Sequence, residues 1–184
     1  MSFFNVFTRS SRSGDAWFSA GPSTSYPNIT SSGSTPLSEQ LPCRETVAPG
    51  CRVFHVPSDD SSKAAEIDQS SVGEGLHGDL KDQVVVFQYQ GDFHAIDHSC
   101  PHSSYPLSKG TPFDIEDFGV RLSAGIRCPN HDWSFDLVRG NGDRGNYRLK
   151  IWEVQLRPVA GGGVDGDKDG ELKEVWVRRK QRMG

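Results

Sequence analysis

Two short runs hold the residue types that do metal chemistry: Cys100-Pro101-His102 and Cys128-Pro129-Asn130-His131. The pattern is Cys-x-His, twenty-five intervening residues, then Cys-x-x-His. Each run puts one thiol and one imidazole into a tight turn, so two such turns brought together offer two sulfurs and two nitrogens. Zinc accepts such a set tetrahedrally, but its sites usually pair like ligands on one element. Here each element carries one of each kind, a poor match to that form. The other centre is a [2Fe–2S] cluster in which two His replace two Cys on one iron. Each loop then sends its Cys to one iron and its His to the other, so mixed pairs are what that arrangement calls for. Pro101 and Pro129 stiffen the turns and leave neighbouring backbone N–H groups free to face the sulfurs.

Other residues of these types read differently. His94 alternates with apolar neighbours as a strand surface residue, and His98 reads as a loop residue. His55 and His77 have no partner pattern. Cys43 and Cys51 read as free thiols in a poorly ordered region rather than a disulfide.

The elements that must position the two loops are short strands. Val53, Phe54 and Val56 form one, ended by Pro57. Residues 57–82 hold seven Asp or Glu against two Lys and read as a surface loop with one short helix near Lys63–Asp68. Gln83–Gln90 and Phe93–Asp97 make a hairpin about a Gly91-Asp92 turn. The stretch Lys109–Gly119 reads as a Gly-, Pro- and acid-rich connection, whose acids at 114–117 form a solvated turn. Ile126-Arg127 and Trp133–Val138 flank the second loop as strands, and Gly140–Asp143 is a turn. Tyr147–Leu156 is a strand whose apolar phase slips at Ile151-Trp152, which suggests a bulge. Glu174–Arg178 closes the chain before a solubilising basic tail of Arg179, Lys180 and Arg182.

The 184 residues suffice for one ordinary domain, and the 31 Gly and Pro favour a turn-rich one. Many short strands without a long amphipathic helix indicate an all-β sandwich or barrel. A net charge of −4 with no dense basic stripe argues against a dedicated nucleic-acid binder. The longest apolar run, Val84–Phe87, is far too short to span a bilayer. Fifteen of the first forty residues are Ser or Thr, so residues 10–40 are expected to be flexible. Met1–Arg12 reads as a plain disordered tail, with a weak mitochondrial presequence the other reading.

The paired mixed motifs resemble the Rieske iron–sulfur family, and the resemblance spans roughly residues 52–178. It includes the hairpin leading into Cys100, the run Pro106-Leu107-Ser108-Lys109-Gly110, and the Trp133-x-Phe135-Asp136…Gly140 run leaving the second loop. It implies an all-β, Rieske-type antiparallel β-sandwich or barrel with a small cluster-binding subdomain of two loops, about residues 95–138. That domain would occupy 44–184 behind a flexible segment, 1–43. One cluster per chain is implied, with Cys100 and Cys128 on one iron and His102 and His131 on the other. Trp133 and Pro106 would shield it.

Respiratory and photosynthetic members carry an extra Cys in each loop and a Ser after the second His. Here Tyr105, Asn130 and Trp133 occupy those places, and fewer donors to the cluster imply a potential toward the low end of about −150 to +300 mV. Asp132 stands where ferredoxin-type members usually have Gly and would tune the cluster's charge. With the longer acidic spacer, it makes the chain similar to stand-alone Rieske-type ferredoxins of eukaryotes. The implied activity is one-electron transfer between a reductase and an acceptor oxidoreductase, with no catalysis by the chain alone. The alternatives are a redox-sensing or structural binding module, a zinc-stabilised domain, or the small subunit of a larger reductase. Cytosol is the expected compartment, mitochondrial matrix the second choice.

Overall fold

The computed structural model describes residues 13–68, 79–159 and 172–180. Strands β1 (Phe18–Pro22), β2 (Asn28–Ile29), β3 (Gln40–Cys43), β4 (Thr46–Pro49) and β5 (Cys51–His55) come first in the chain. Then follow β6 (Ala65–Ile67), β7 (Gln83–Tyr89) and β8 (Asp92–Asp97). The rest are β9 (Thr111–Asp117), β10 (Val120–Arg127), β11 (Ser134–Asp136), β12 (Trp152–Pro158) and β13 (Lys173–Arg179). The described residues form no α-helix, only short 3-10 turns, and the fold is all-β.

β7 is the axis. It pairs antiparallel with β5 on one side and β8 on the other, and β2 runs parallel to its end at Gln88 and Tyr89. The apolar run Val84–Phe87 is continuous because both faces of this sheet are covered. Val84 and Val86 face Phe18, Ala20, Trp152, Val175 and Val177 of the sheet β1-β13-β12. Val85 and Phe87 face the opposite way, toward Ala124, Ile126, Phe135 and both cluster-loop cysteines. The sheet β11-β10-β9 therefore packs on one side of the axis and the terminal strands on the other.

Several sequence expectations are corrected. Residues 13–43 are not a flexible segment: β1 pairs with β13, and Phe18, Tyr26, Ile29 and Leu37 are buried. A few widely spaced apolar residues among the Ser and Thr suffice, because each packs into one of the two cores rather than against a neighbour in sequence. Residues 1–12 lie outside the described residues, as does His77. The short helix expected near Lys63–Asp68 is a 3-10 turn at Ser61–Lys63 followed by β6, which pairs with β5. Tyr147–Leu156 becomes a strand only from Trp152.

The spacer at 109–119 is a strand and hairpin, not a loop, since Thr111–Asp117 pairs along Val120–Arg127 and turns at Phe118-Gly119. Pro112 is tolerated because β9 is an edge strand. Arg179 is no tail residue. Its guanidinium donates to Gly14 O (2.8 Å), Val56 O (2.9 Å), Pro57 O (3.2 Å) and Ser61 Oγ (2.6 Å), stapling three separate segments.

Candidate metal centre

The first loop leaves β8 and the second leaves β10, and their backbones follow the same plan. Cys100 N donates to Tyr105 O (2.9 Å), and Ser104 N donates to Cys100 O (2.8 Å). Cys128 N donates to Trp133 O (2.8 Å), and Asp132 N donates to Cys128 O (3.0 Å). The residue four beyond each cysteine is left-handed, with φ 53° at Ser104 and 57° at Asp132. This backbone requirement accounts for a Gly-like position at 132, and an Asp tolerates it better than most residues. The two Cys-Pro turns are thus near-copies facing each other.

Neighbouring elements fix these turns. His98 at the base of the first loop is buried, with Nδ1 bonded to Gln83 Oε1 (2.7 Å) and Nε2 to Ser108 Oγ (2.8 Å). Below the second loop, the Asp136 carboxylate accepts from Val138 N (2.7 Å) and Arg139 N (2.6 Å). Gly140 then lets the chain return: its φ is +75°, and a Cβ there would sit 2.0 Å from Leu149 O. The Trp-x-Phe-Asp…Gly run is therefore a cap plus a close approach.

Sulfurs and imidazoles gather in two pairs. Cys100 and Cys128 are each 1% exposed. They lie within hydrogen-bond reach of each other, which drives their titrations apart. Cys100 is pulled down to about 5, first by the bond from the Cys128 thiol and then by the backbone N–H groups of Ser103 and His102, against the resistance of burial. The same bond and burial push Cys128 up, opposed by the N–H groups of Asn130 and His131. Each sulfur thus meets the amides that follow its proline. The His102 and His131 rings meet edge to face, centroids 5.2 Å apart. Among the described residues, no three His, Cys, Asp or Glu side chains converge on a single ion-sized point.

A two-iron cluster takes two protein ligands per iron, and the pairs suit it. His102 Nδ1 is buried with no hydrogen-bond partner, a cost that a metal bond would remove. His131 Nδ1 lies 3.1 Å from the amide Nδ2 of Asn130. His131 is exposed, whereas His102 stacks on Trp133 (4.4 Å, 17°) and meets Tyr147 edge-on (5.4 Å). Arg144 covers the outer face of Trp133 at 5.3 Å and donates to Asp132 O (2.7 Å). Tyr147 and Arg144 escaped the sequence reading because nothing in the Gly/Asn-rich loop 140–148 marks them as facing back onto the site.

The remaining candidates stand apart. His94 lies on β8 as expected but faces inward against Phe87 (5.4 Å), with Nε2 buried and unpartnered, and burial pushes it down to about 4. Cys43 and Cys51 form no disulfide and are both buried rather than in a poorly ordered region, and Cys43 Sγ donates to Thr24 O at 3.3 Å. The acids of 114–117 lie on β9, where Asp114 accepts from Tyr89 Oη (3.0 Å) and pairs with Arg121 (3.0 Å).

The family profile described as Rieske [2Fe-2S] domain matches residues 59–150. A Rieske domain-containing protein of Homo sapiens is 43% identical over 60 residues, covering 33% of this chain and 35% of that protein. The chain thus spans about a third of that relative's length. The ferredoxin component of an alkene monooxygenase system of Xanthobacter autotrophicus is 27% identical over 95 residues, 48% of this chain and 71% of that protein. A solved structure from Mycobacterium tuberculosis, described as the small subunit of a candidate NADH-dependent nitrite reductase, aligns with a TM-score of 0.38 and 19% identity, covering 54% of this chain and 75% of that one.

Proposed function

The chain belongs to the Rieske [2Fe-2S] domain family, and from that premise we propose that it is a ferredoxin-like one-electron carrier whose cluster is held by Cys100, His102, Cys128 and His131. The cluster supplies a one-electron couple; the chain supplies the ligands, the shielding and the route out. The observation that carries the reading is the paired geometry: two buried thiols backed by four amide donors, and two imidazoles of which one has a buried, unpartnered Nδ1.

Cys100 and Cys128 sit in the core cluster of apolar residues, so water is kept from the sulfur side. His131 opens to solvent and is the short path for an electron to leave. Trp133 holds the plane of the His102 ring. No Ser or Tyr hydroxyl occupies the positions beside the second loop that Trp133 and Asn130 fill, which supports a potential low in the family range. The likeness to a ferredoxin component supports a place between a reductase and an oxidoreductase acceptor, with no substrate turned over by this chain alone. Four cysteines without a disulfide suit a reducing compartment, and the cytosol is the one proposed.

Substitution of ligands tests the set. His102→Cys and His131→Cys are expected to abolish the Rieske-type visible and EPR spectrum, while His94→Ala leaves its shape unchanged. A cluster lost in His94→Ala and kept in His102→Cys would overturn the assignment.

A further inference from the structure

Beside the first cluster loop runs a groove of about 1040 Å³. Its walls come from the segment before β7, the end of β8, residues 148–152 and the end of β13, and Ser99 and Ser104 bring the cluster loop itself to its edge. Six cations and three carboxylates line it. The carboxylates are engaged: Asp97 pairs with Lys150 (3.5 Å) and accepts from Trp152 Nε1 (2.8 Å), Asp82 lies 3.9 Å from Arg179, and Asp79 accepts from Lys81 N (3.0 Å). Lys81, Arg139, Arg148 and Lys180 are exposed and close no ion pair among the described residues. Arg148 directly follows Tyr147, whose ring edge meets His102. A chain of net charge −4 thus concentrates uncompensated positive charge in one concavity bordering the site, while the second loop carries the exposed Asp132.

We propose that this groove is a docking surface for the redox partner and receives an acidic segment of that protein. The inference rests on the electron-carrier reading and adds where the partner binds and with what chemistry. Local positive charge raises the encounter rate of an anionic surface and loses that advantage as salt screens it. A concave site with a small number of cations suits a loop bearing carboxylates. A nucleic-acid duplex or an anionic membrane calls for a broader basic face.

The test is oxidation of the dithionite-reduced full-length protein by hexacyanoferrate(III), followed by stopped flow. One electron passes from the reduced cluster to the anion, giving hexacyanoferrate(II), with no bond made or broken. Raising salt from about 20 to about 300 mM is expected to slow the reaction at least about threefold, despite the overall negative charge. In the triple variant Lys81→Glu, Arg148→Glu, Lys180→Glu, the rate is expected to rise with salt instead. Poly-L-glutamate at low salt is expected to slow oxidation of the parent protein, while a short DNA duplex of equal charge does not. A parent rate that rises with salt overturns the groove, as does an unchanged slope in a triple variant that keeps the parent EPR spectrum. Equal slowing by the duplex overturns the acidic-protein partner. Should the triple variant not fold, the parent slope still decides. A protein with no reducible cluster fails the carrier reading itself, a result distinct from a working cluster with the wrong salt dependence.

Discussion

His102 lies flat against Trp133 and edge-on to Tyr147, whereas His131 is exposed and bonded only to the Asn130 amide. The indole is therefore a structural wall of the site as well as a cover. Trp133→Ala is expected to cost about 3 kcal/mol of stability and to bleach the cluster faster in air. Tyr147→Phe keeps the ring contacts and should leave both unchanged; the measurements are thermal unfolding and decay of the visible absorbance. His94 carries a pH dependence of its own. Its pKa falls from 6.5 to about 4 because burial disfavours the charged ring. The unfolded chain thus binds the extra proton between those values. Stability is complete above about pH 6.5 and drops by up to about 3 kcal/mol as pH falls toward 4. In His94→Leu, thermal unfolding followed from pH 7 to 4 should show a shallower fall. The identity of the site was legible at this scale because the Cys-Pro-His and Cys-Pro-x-His runs are local. The inward face of His94 was not, since its apolar neighbours on β8 are equally consistent with either side of a strand until the covering hairpin is in place.

Among the elements, the hairpin β7–β8 and the strand β13 could be read directly, because β-branched runs bounded by Gly91 and by polar residues leave little choice. The hairpin β9–β10 could not. Its β9 mixes Pro112 and three acids with Phe113 and Ile115, and only the pairing partner and the contact of Asp114 with Tyr89 and Arg121 make a strand of it. The turn at Gly140 shows why one glycine is required where another is convenient. Gly140→Ala must place a Cβ against Leu149 O at positive φ, and a loss of at least about 2–3 kcal/mol together with lower cluster content is expected. Gly91→Ala has positive φ but open space around it, so its cost should stay near about 1 kcal/mol. Chemical denaturation of the two variants, with iron content measured alongside, separates these outcomes.

The molecule as a whole is three layers about β7, and residues 13–43 belong to them. Composition hid this, since Ser and Thr outnumber the few apolar residues that anchor β1, Tyr26 and Leu37. Arg52 adds a second tie: its Nη1 donates to Ala20 O (2.9 Å), and its guanidinium lies 5.5 Å from the Tyr26 and Phe54 ring centroids. Removal of residues 1–43 would uncover Val175, Val177 and Trp152 and leave Arg179 without Gly14. The shortened protein is expected to aggregate or lack cooperative unfolding, and Arg179→Ala to lose about 2 kcal/mol. Calorimetry and gel filtration read both. The most direct test of the central claim is EPR of the purified, dithionite-reduced protein, with iron and zinc quantified on the same sample. A rhombic signal with average g below the free-electron value and two irons per chain is expected. An EPR-silent protein with one zinc per chain would contradict it.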